Sequence, residues 1–263
     1  MAEKGIADFS SGPIARSILI YTFPLFLGNL FQQLYNAADT LIVGNFLGPD
    51  ALAAVSSSGS LIFMMVGFFN GLAVGAGVVI SRAYGAGDRE RLERAMHSDI
   101  AFGIAAGLAI TLLAVLFTPR ILRAIATPPS LLPISASYFR IYSAGIFFSV
   151  MYNVLMGIMN ALGDSRHPLY YLIISSAVNI VLDLVFVGLL GWGVWSAALA
   201  TIISQAVSAA LCFCRLQRKG EGGVRIRIRV IAISGMEMRA IIRFGLPSGL
   251  QNSIIGFANT VIQ

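Results

Sequence analysis

Apolar residues along this chain form long unbroken runs, and the charged residues are confined to the gaps between them. Seven runs approach or exceed the roughly 20 residues that a helix needs to cross the hydrocarbon of a bilayer. They cover about 15–46, 51–81, 96–118, 134–161, 168–190 and 194–216, with a seventh opening at 239. Several are longer than a perpendicular crossing requires, so tilted or bent helices are expected. The pattern predicts an all-α integral membrane protein: a six-helix transmembrane bundle followed by a truncated seventh helix.

Between the sixth and seventh runs lies QRKGEGGVRIRIRVIAISGMEM, the one long polar stretch with glycines. It divides the chain into a six-helix lobe (1–216), a cytoplasmic linker (217–238) and the start of a second lobe (239–263). The seventh run also repeats the first. Aligned without gaps, residues 16–40 and 239–263 share Arg16 with Arg239, Pro24 with Pro247, Asn29 with Asn252 and Asn36 with Asn259. Proline and asparagine are costly inside membrane helices, so their coincidence points to duplication. An even number of crossings per unit makes the two lobes parallel repeats about an axis along the membrane normal, with substrate between them. The expectation is a parent protein near twice this length, whose missing C-terminal lobe is this lobe's partner.

Charge then orients the bundle. Of 263 residues, 57% are hydrophobic and 11% charged, too apolar for a domain with a wetted surface. The excess of +6 is concentrated in alternate connections, from Arg82, Arg89, Arg91 and Arg94 to Arg215, Arg218 and Lys219. The opposite connections carry only Arg120, Arg123 and Arg140. That asymmetry sets topology and does not call for a nucleic-acid partner: the N-terminus is placed in the cytoplasm and the protein, multi-pass, in the cell membrane. MAEKGIADFSSGPIAR has no apolar core of its own, so no cleaved secretory signal is expected. Cys212 and Cys214 fall at the cytoplasmic end of the sixth run, where thiols stay reduced. His97 and His167 lie far apart beside cytoplasmic loops and are not assigned to a metal.

Two acids, Asp39 and Asp183, lie well inside the runs. A carboxylate at bilayer depth costs at least about 2.5–3.5 kcal/mol on insertion scales, so such residues usually face a cavity and carry an ion or proton. Each has polar company at helical spacing. The first run carries Asn29, Gln33, Asn36 and then Asp39 or Thr40; the fifth carries Ser175, Asn179 and Asp183; the sixth carries Thr201, Ser204, Gln205 and Ser208. Hydrogen bonding between helices accounts for such stripes as well, and the acids are what favour a site. If the stripes converge, Asp39, Asn179, Asp183 and Thr201 offer carboxylate, amide and hydroxyl oxygens without sulfur or imidazole, a set that suits a hard cation such as sodium or a shared proton. Asn29, Gln33, Asn36, Ser175 and Gln205 are candidates for the cavity wall.

Pro24 interrupts the first helix about four turns before Asp39 and is a candidate bend point. Gly71, Gly75 and Gly77 include a small-xxx-small pair, a mark of close helix packing. Met64, Met65, Met151, Met156 and Met159 are expected in core or lipid-facing positions rather than in a drug cavity. No G-x-S-x-G, H-E-x-x-H or P-loop is present, so neither an enzyme nor ATP-driven transport is expected.

These residues carry a resemblance. PLFLGNLFQQLYNAADTLIVGNFLG (24–48), AYGAGDRERLERA (83–95), NALGDSRHP (160–168), AVNIVLDLVFV (177–187) and GVWSAALATIISQ (193–205) together resemble the multidrug and toxic compound extrusion (MATE) family. The resemblance spans the whole chain, as that family's N-terminal lobe plus the start of the next. It implies a twelve-helix antiporter exporting small, drug-like cationic or amphipathic molecules across the lipid bilayer in exchange for sodium or protons, with no cofactor. It also implies a cation site at Asp39, Asn179, Asp183 and Thr201 and a helix bend at Pro24. A lipid-linked saccharide flippase is the nearest alternative, but its pyrophosphate would call for cations deep in the spans, where this chain has none. An intramembrane lipid-modifying enzyme is a more distant alternative.

Overall fold

The computed structural model describes residues 14–219, 226 and 233–262. These fold into seven helices: α1 (Ile14–Leu47), α2 (Pro49–Gly85), α3 (Arg89–Ala124), α4 (Leu132–Ala161), α5 (Arg166–Asp183), α6 (Trp195–Lys219) and α7 (Gly235–Ile262). The joints are short and chemically specified. Gly48 turns α1 into α2 at φ 84°, a left-handed conformation that suits glycine, and Pro49 then opens α2 at a position with no amide to satisfy. Asp88 caps α3 by accepting a hydrogen bond from the Arg91 amide at 2.9 Å.

Five of the described helices, α2 to α6, are long and apolar enough to cross a membrane. α1, at 34 residues, reaches about 50 Å at 1.5 Å per residue. Asn29, Gln32, Gln33, Asn36 and Asp39 dilute its hydropathy, although its length exceeds what a bilayer demands. α4 is the hub and packs against α2, α3 and α6. One core cluster gathers Met96, Ile100, Leu155, Ile158, Met159 and Cys212, and a second gathers Tyr138, Phe139, Ile146, Ala197 and Ala198. α3 approaches α4 closely because Gly103 leaves room for Val154, whose side chain a Cβ there would meet at 2.8 Å. Leu19, Phe23, Leu112 and Leu116 are exposed on the outside of the described helices.

α7 lies along α2 and, at its start, touches α3. Gly67, Gly71 and Gly75 of α2 meet Asn252, Gly249 and Gly245 of α7, with backbones in direct contact at the last two pairs. The expected close packing therefore falls at Gly71 and Gly75. Gly77 takes no part, since a Cβ there would meet nothing within 4 Å.

The expected linker at 217–238 lies largely outside the described residues. Its edges are helical: α6 runs on to Lys219 and α7 begins at Gly235 rather than 239. The added turn of α7 is anchored. Glu237 is fully buried and its carboxylate accepts from the Arg91 guanidinium at 3.3 Å, while the Ser234 amide donates to the Ser98 hydroxyl at 2.8 Å. Of the alternating VRIRIRV segment, only Ile226 is described, and it is buried in the core.

Candidate ion-binding site

Asp183 is the last residue of α5's regular helix. Beyond it the turns widen over Leu184–Leu189, where the Leu190 amide reaches back five residues to the Val185 carbonyl at 2.8 Å. Such widened turns are rare and concentrate at functional sites, because the extra residue turns neighbouring side chains to directions a regular helix does not offer. Packing of the Phe186, Trp192 and Trp195 rings, 5.0 and 5.3 Å apart, holds the segment that returns the chain to α6.

On α1, Asp39 shares a face with Tyr35 and Gly28, and Gly28 faces Leu169 and Leu172 of α5. That contact brings the Asp39 carboxyl against the Asp183 carboxyl. No geometrically sound hydrogen bond joins them. Both oxygens of Asp183, Oδ1 of Asp39 and both side-chain atoms of Asn179 are buried without a hydrogen-bond partner among the described residues. Asn179 and Asp183 are wholly buried and Thr201 nearly so. Thr201 donates to the Ala197 carbonyl at 3.0 Å and lies beside Tyr35. Tyr138 and Tyr142 of α4, ring centroids 6.3 Å apart, complete the surroundings of the acid pair.

The structure thus brings Asp39, Asn179, Asp183 and Thr201 into one buried cluster. Ser175 is buried one turn before Asn179 and donates to the Leu172 carbonyl at 3.0 Å, and Gln205 is half-buried with Oε1 unpartnered among the described residues. Asn29, Gln33 and Asn36 are not in the cluster. They lie with Thr40 on the exposed side of α1, where Thr40 donates to the Asn36 carbonyl at 2.8 Å. The expected single stripe on α1 is two stripes: at about 100° of rotation per residue, Asp39 lies roughly 60–120° around the helix from Asn29, Gln33, Asn36 and Thr40, enough to turn it inward while they stay exposed.

Pro24 is buried within a helix that continues through it. Its missing amide leaves the Ile20 carbonyl without its usual donor. Beside this break, the Ser165 hydroxyl donates to the Tyr21 carbonyl at 3.0 Å and the Tyr21 hydroxyl donates to the Asn160 carbonyl at 2.9 Å. The first turns of α1 are therefore pinned to the α4–α5 connection, and Pro24 lies between this clamp and the acid pair.

Other functional-looking groups escaped the sequence. Tyr35, Tyr138 and Tyr142 read as ordinary membrane aromatics. Asp99 looked like a helix-end acid but is 2% exposed, with Oδ2 lacking a partner among the described residues. Asp164, also at a helix end, is buried between His167, at 2.6 Å, and Arg215, at 3.7 Å. His97 is buried, its Nδ1 2.8 Å from the Glu93 carbonyl. Among the described residues no group of three or more His, Cys, Asp or Glu side chains is placed to hold a metal.

A family model described as MatE matches residues 24–185. The chain belongs to the MatE family. It is 29% identical over 260 residues to the probable multidrug resistance protein YoeA of Bacillus subtilis (strain 168), covering 96% of this chain and 56% of that protein. Among solved structures it resembles a MATE protein in a bent conformation, with TM-score 0.82 and 31% identity over 89% of this chain and 52% of the other. It also resembles an inward-facing multidrug resistance MATE transporter of the MOP superfamily, with TM-score 0.80 and 31% identity over 86% and 51%. The chain spans about half the length of the relatives it matches. MATE proteins are transporters and not enzymes, which removes the lipid-modifying enzyme from the alternatives, and the chain is a multi-pass membrane protein.

Proposed function

We propose that this chain is the N-terminal lobe of a secondary multidrug transporter that exports cationic or amphipathic compounds in antiport with sodium or protons by alternating access. The observation that carries the proposal is the pairing of Asp39 with Asp183, with three of their four carboxylate oxygens buried and unpartnered among the described residues. Two carboxylates at close range in a medium of low dielectric cannot both keep their charge unless a cation or proton joins them. Asn179 and Thr201 add amide and hydroxyl oxygens, so every donor is a hard oxygen suited to sodium. The ion is transported, and it enters and leaves with the change in access.

Pro24 supplies a bend between the pinned start of α1 and Asp39, so that loading the acid pair and bending α1 are mechanically linked. The bent and inward-facing forms of related proteins support that reading. A second six-helix lobe continuing from α7 completes the substrate cavity, in keeping with the greater length of the relatives. The N-terminus lies in the cytoplasm and the protein in the cell membrane, as the distribution of arginines indicates. The test is ethidium efflux from cells expressing the protein with both lobes. Efflux should follow an imposed sodium or proton gradient and stop when that gradient is collapsed. Efflux indifferent to both gradients, or absent altogether, contradicts the proposal.

A further inference from the structure

Where α1 passes the start of α5, a groove of about 620 Å³ opens on the outer side of the bundle. That is within the range of small-molecule sites, roughly 300–1,000 Å³. Leu19, Ile20, Phe23, Pro24 and Phe26 make almost all of its wall, and Arg166, the first residue of α5, is its charged lining residue. Leu19, Phe23 and Phe26 are 61–71% exposed among the described residues. Arg16 sits one turn before Leu19 and Ile20 on the same helix and is exposed. Neither Arg16 nor Arg166 forms an ion pair among the described residues, and the acid nearest to Arg166 in sequence, Asp164, is buried against His167 and Arg215. An apolar channel two turns long thus has Arg166 in its wall and Arg16 one turn before Leu19, two cations without an ion pair among the described residues.

We infer that this groove binds an anionic phospholipid, with the headgroup phosphate on Arg16 and Arg166 and an acyl chain along Leu19, Ile20, Phe23 and Phe26. Basic pockets beside membrane helices recognise lipid headgroups through this combination of charge and apolar wall. A lipid seated there touches Pro24 itself, so occupancy bears on the bend of α1. The site rests on the chain being a membrane protein and does not depend on which ion is coupled or which drug is exported.

The experiment uses the protein reconstituted in phosphatidylcholine vesicles containing a trace of spin-labelled phosphatidylglycerol or, separately, spin-labelled phosphatidylcholine. The protein should immobilise phosphatidylglycerol in preference to phosphatidylcholine. Arg16→Gln and Arg166→Gln should each lower that preference by about five-fold. Arg123→Gln, an exposed arginine away from the groove, should leave it unchanged. A Phe23→Trp variant localises the effect: its emission, after subtraction of the parent signal from Trp192 and Trp195, should be quenched more by labelled phosphatidylglycerol than by labelled phosphatidylcholine. Equal immobilisation of the two lipids, a preference that survives the double arginine variant, or a Phe23→Trp signal quenched by neither lipid would overturn the site, the last meaning that protein covers the groove.

Discussion

Gly71 of α2 and Gly249 of α7 touch backbone to backbone: a Cβ on Gly71 would lie 2.2 Å from the Gly249 amide nitrogen. One turn away, Gly75 meets Gly245 in the same manner. This seam holds α7 along α2. Its small residues allow two helices to approach until their backbones meet, which raises dispersion contact, and the Asn252 amide donates to the Gly67 carbonyl at 3.2 Å along the same seam.

The seam can be cross-linked. An ideal Cβ at Gly67 lies 3.5 Å from the Asn252 Cβ, within disulfide range. With Cys212 and Cys214 replaced by serine, a Gly67→Cys, Asn252→Cys pair should oxidise readily. If transport requires α7 to move against α2, efflux should fall on oxidation and return on reduction. A pair that stays reduced under oxidant places α7 elsewhere.

Leucine scanning separates the seam from its sequence neighbour. Gly71→Leu drives a side chain into the α7 backbone and should lower stability by about 1–3 kcal/mol, the usual cost of overpacking. Gly77→Leu meets open space and should leave the melting temperature nearly unchanged. Equal effects at the two positions would show that α7 does not rest on Gly71.

Arg91 and Glu237 fix the same helix at its start. Glu237 is fully buried and Arg91 partly exposed, so Arg91→Ala strands a carboxylate without its partner. The variant should melt lower than the parent, and Glu237→Gln added to it should recover part of the loss, because a neutral amide is less costly to leave unpaired. A double variant no more stable than Arg91→Ala alone would remove the ion pair as the anchor.

The acid pair predicts a trade of stability for function. Asp183→Asn removes a buried group whose two oxygens have no partner among the described residues, and it should stabilise the protein by about 1–3 kcal/mol in sodium-free buffer. The stabilisation of the parent by sodium or by mild acid should disappear in the variant. A less stable variant that keeps its response to either ion would mean that Asp183 is a structural acid.

The membrane fold was legible because a helix in lipid must be apolar over its whole length, a signal that needs no knowledge of partners. Asp39, Asn179 and Asp183 stood out as candidates for the converse reason: acids and amides are costly in such runs. What escaped was tertiary. Asp99, Asp164 and Glu237 sit at helix ends, where a sequence suggests solvent, yet each is buried, Asp164 beside Arg215 and Glu237 beside Arg91, partners far along the chain. Tyr35 shares its face with Asp39, but tyrosine is common in membrane helices and carries no warning of its own. Asn29, Gln33 and Asn36 lie on the exposed side of α1, apart from Asp39, because polar spacing on a helix leaves a choice between adjacent stripes, and the contact of Gly28 with α5 turns the Asp39 stripe inward. The widened turns after Asp183 have no counterpart in the apolar pattern of LVFVGL.

The central claim is that Asp39 and Asp183 together carry the coupling ion. Its most direct test is ethidium transport in proteoliposomes under an imposed sodium or pH gradient, comparing the two-lobe parent with Asp39→Asn and Asp183→Asn at matched incorporation. The account predicts gradient-driven transport by the parent and a fall to the level of protein-free vesicles in both variants, with ethidium binding in detergent retained. Undiminished gradient-driven transport by either variant would contradict it.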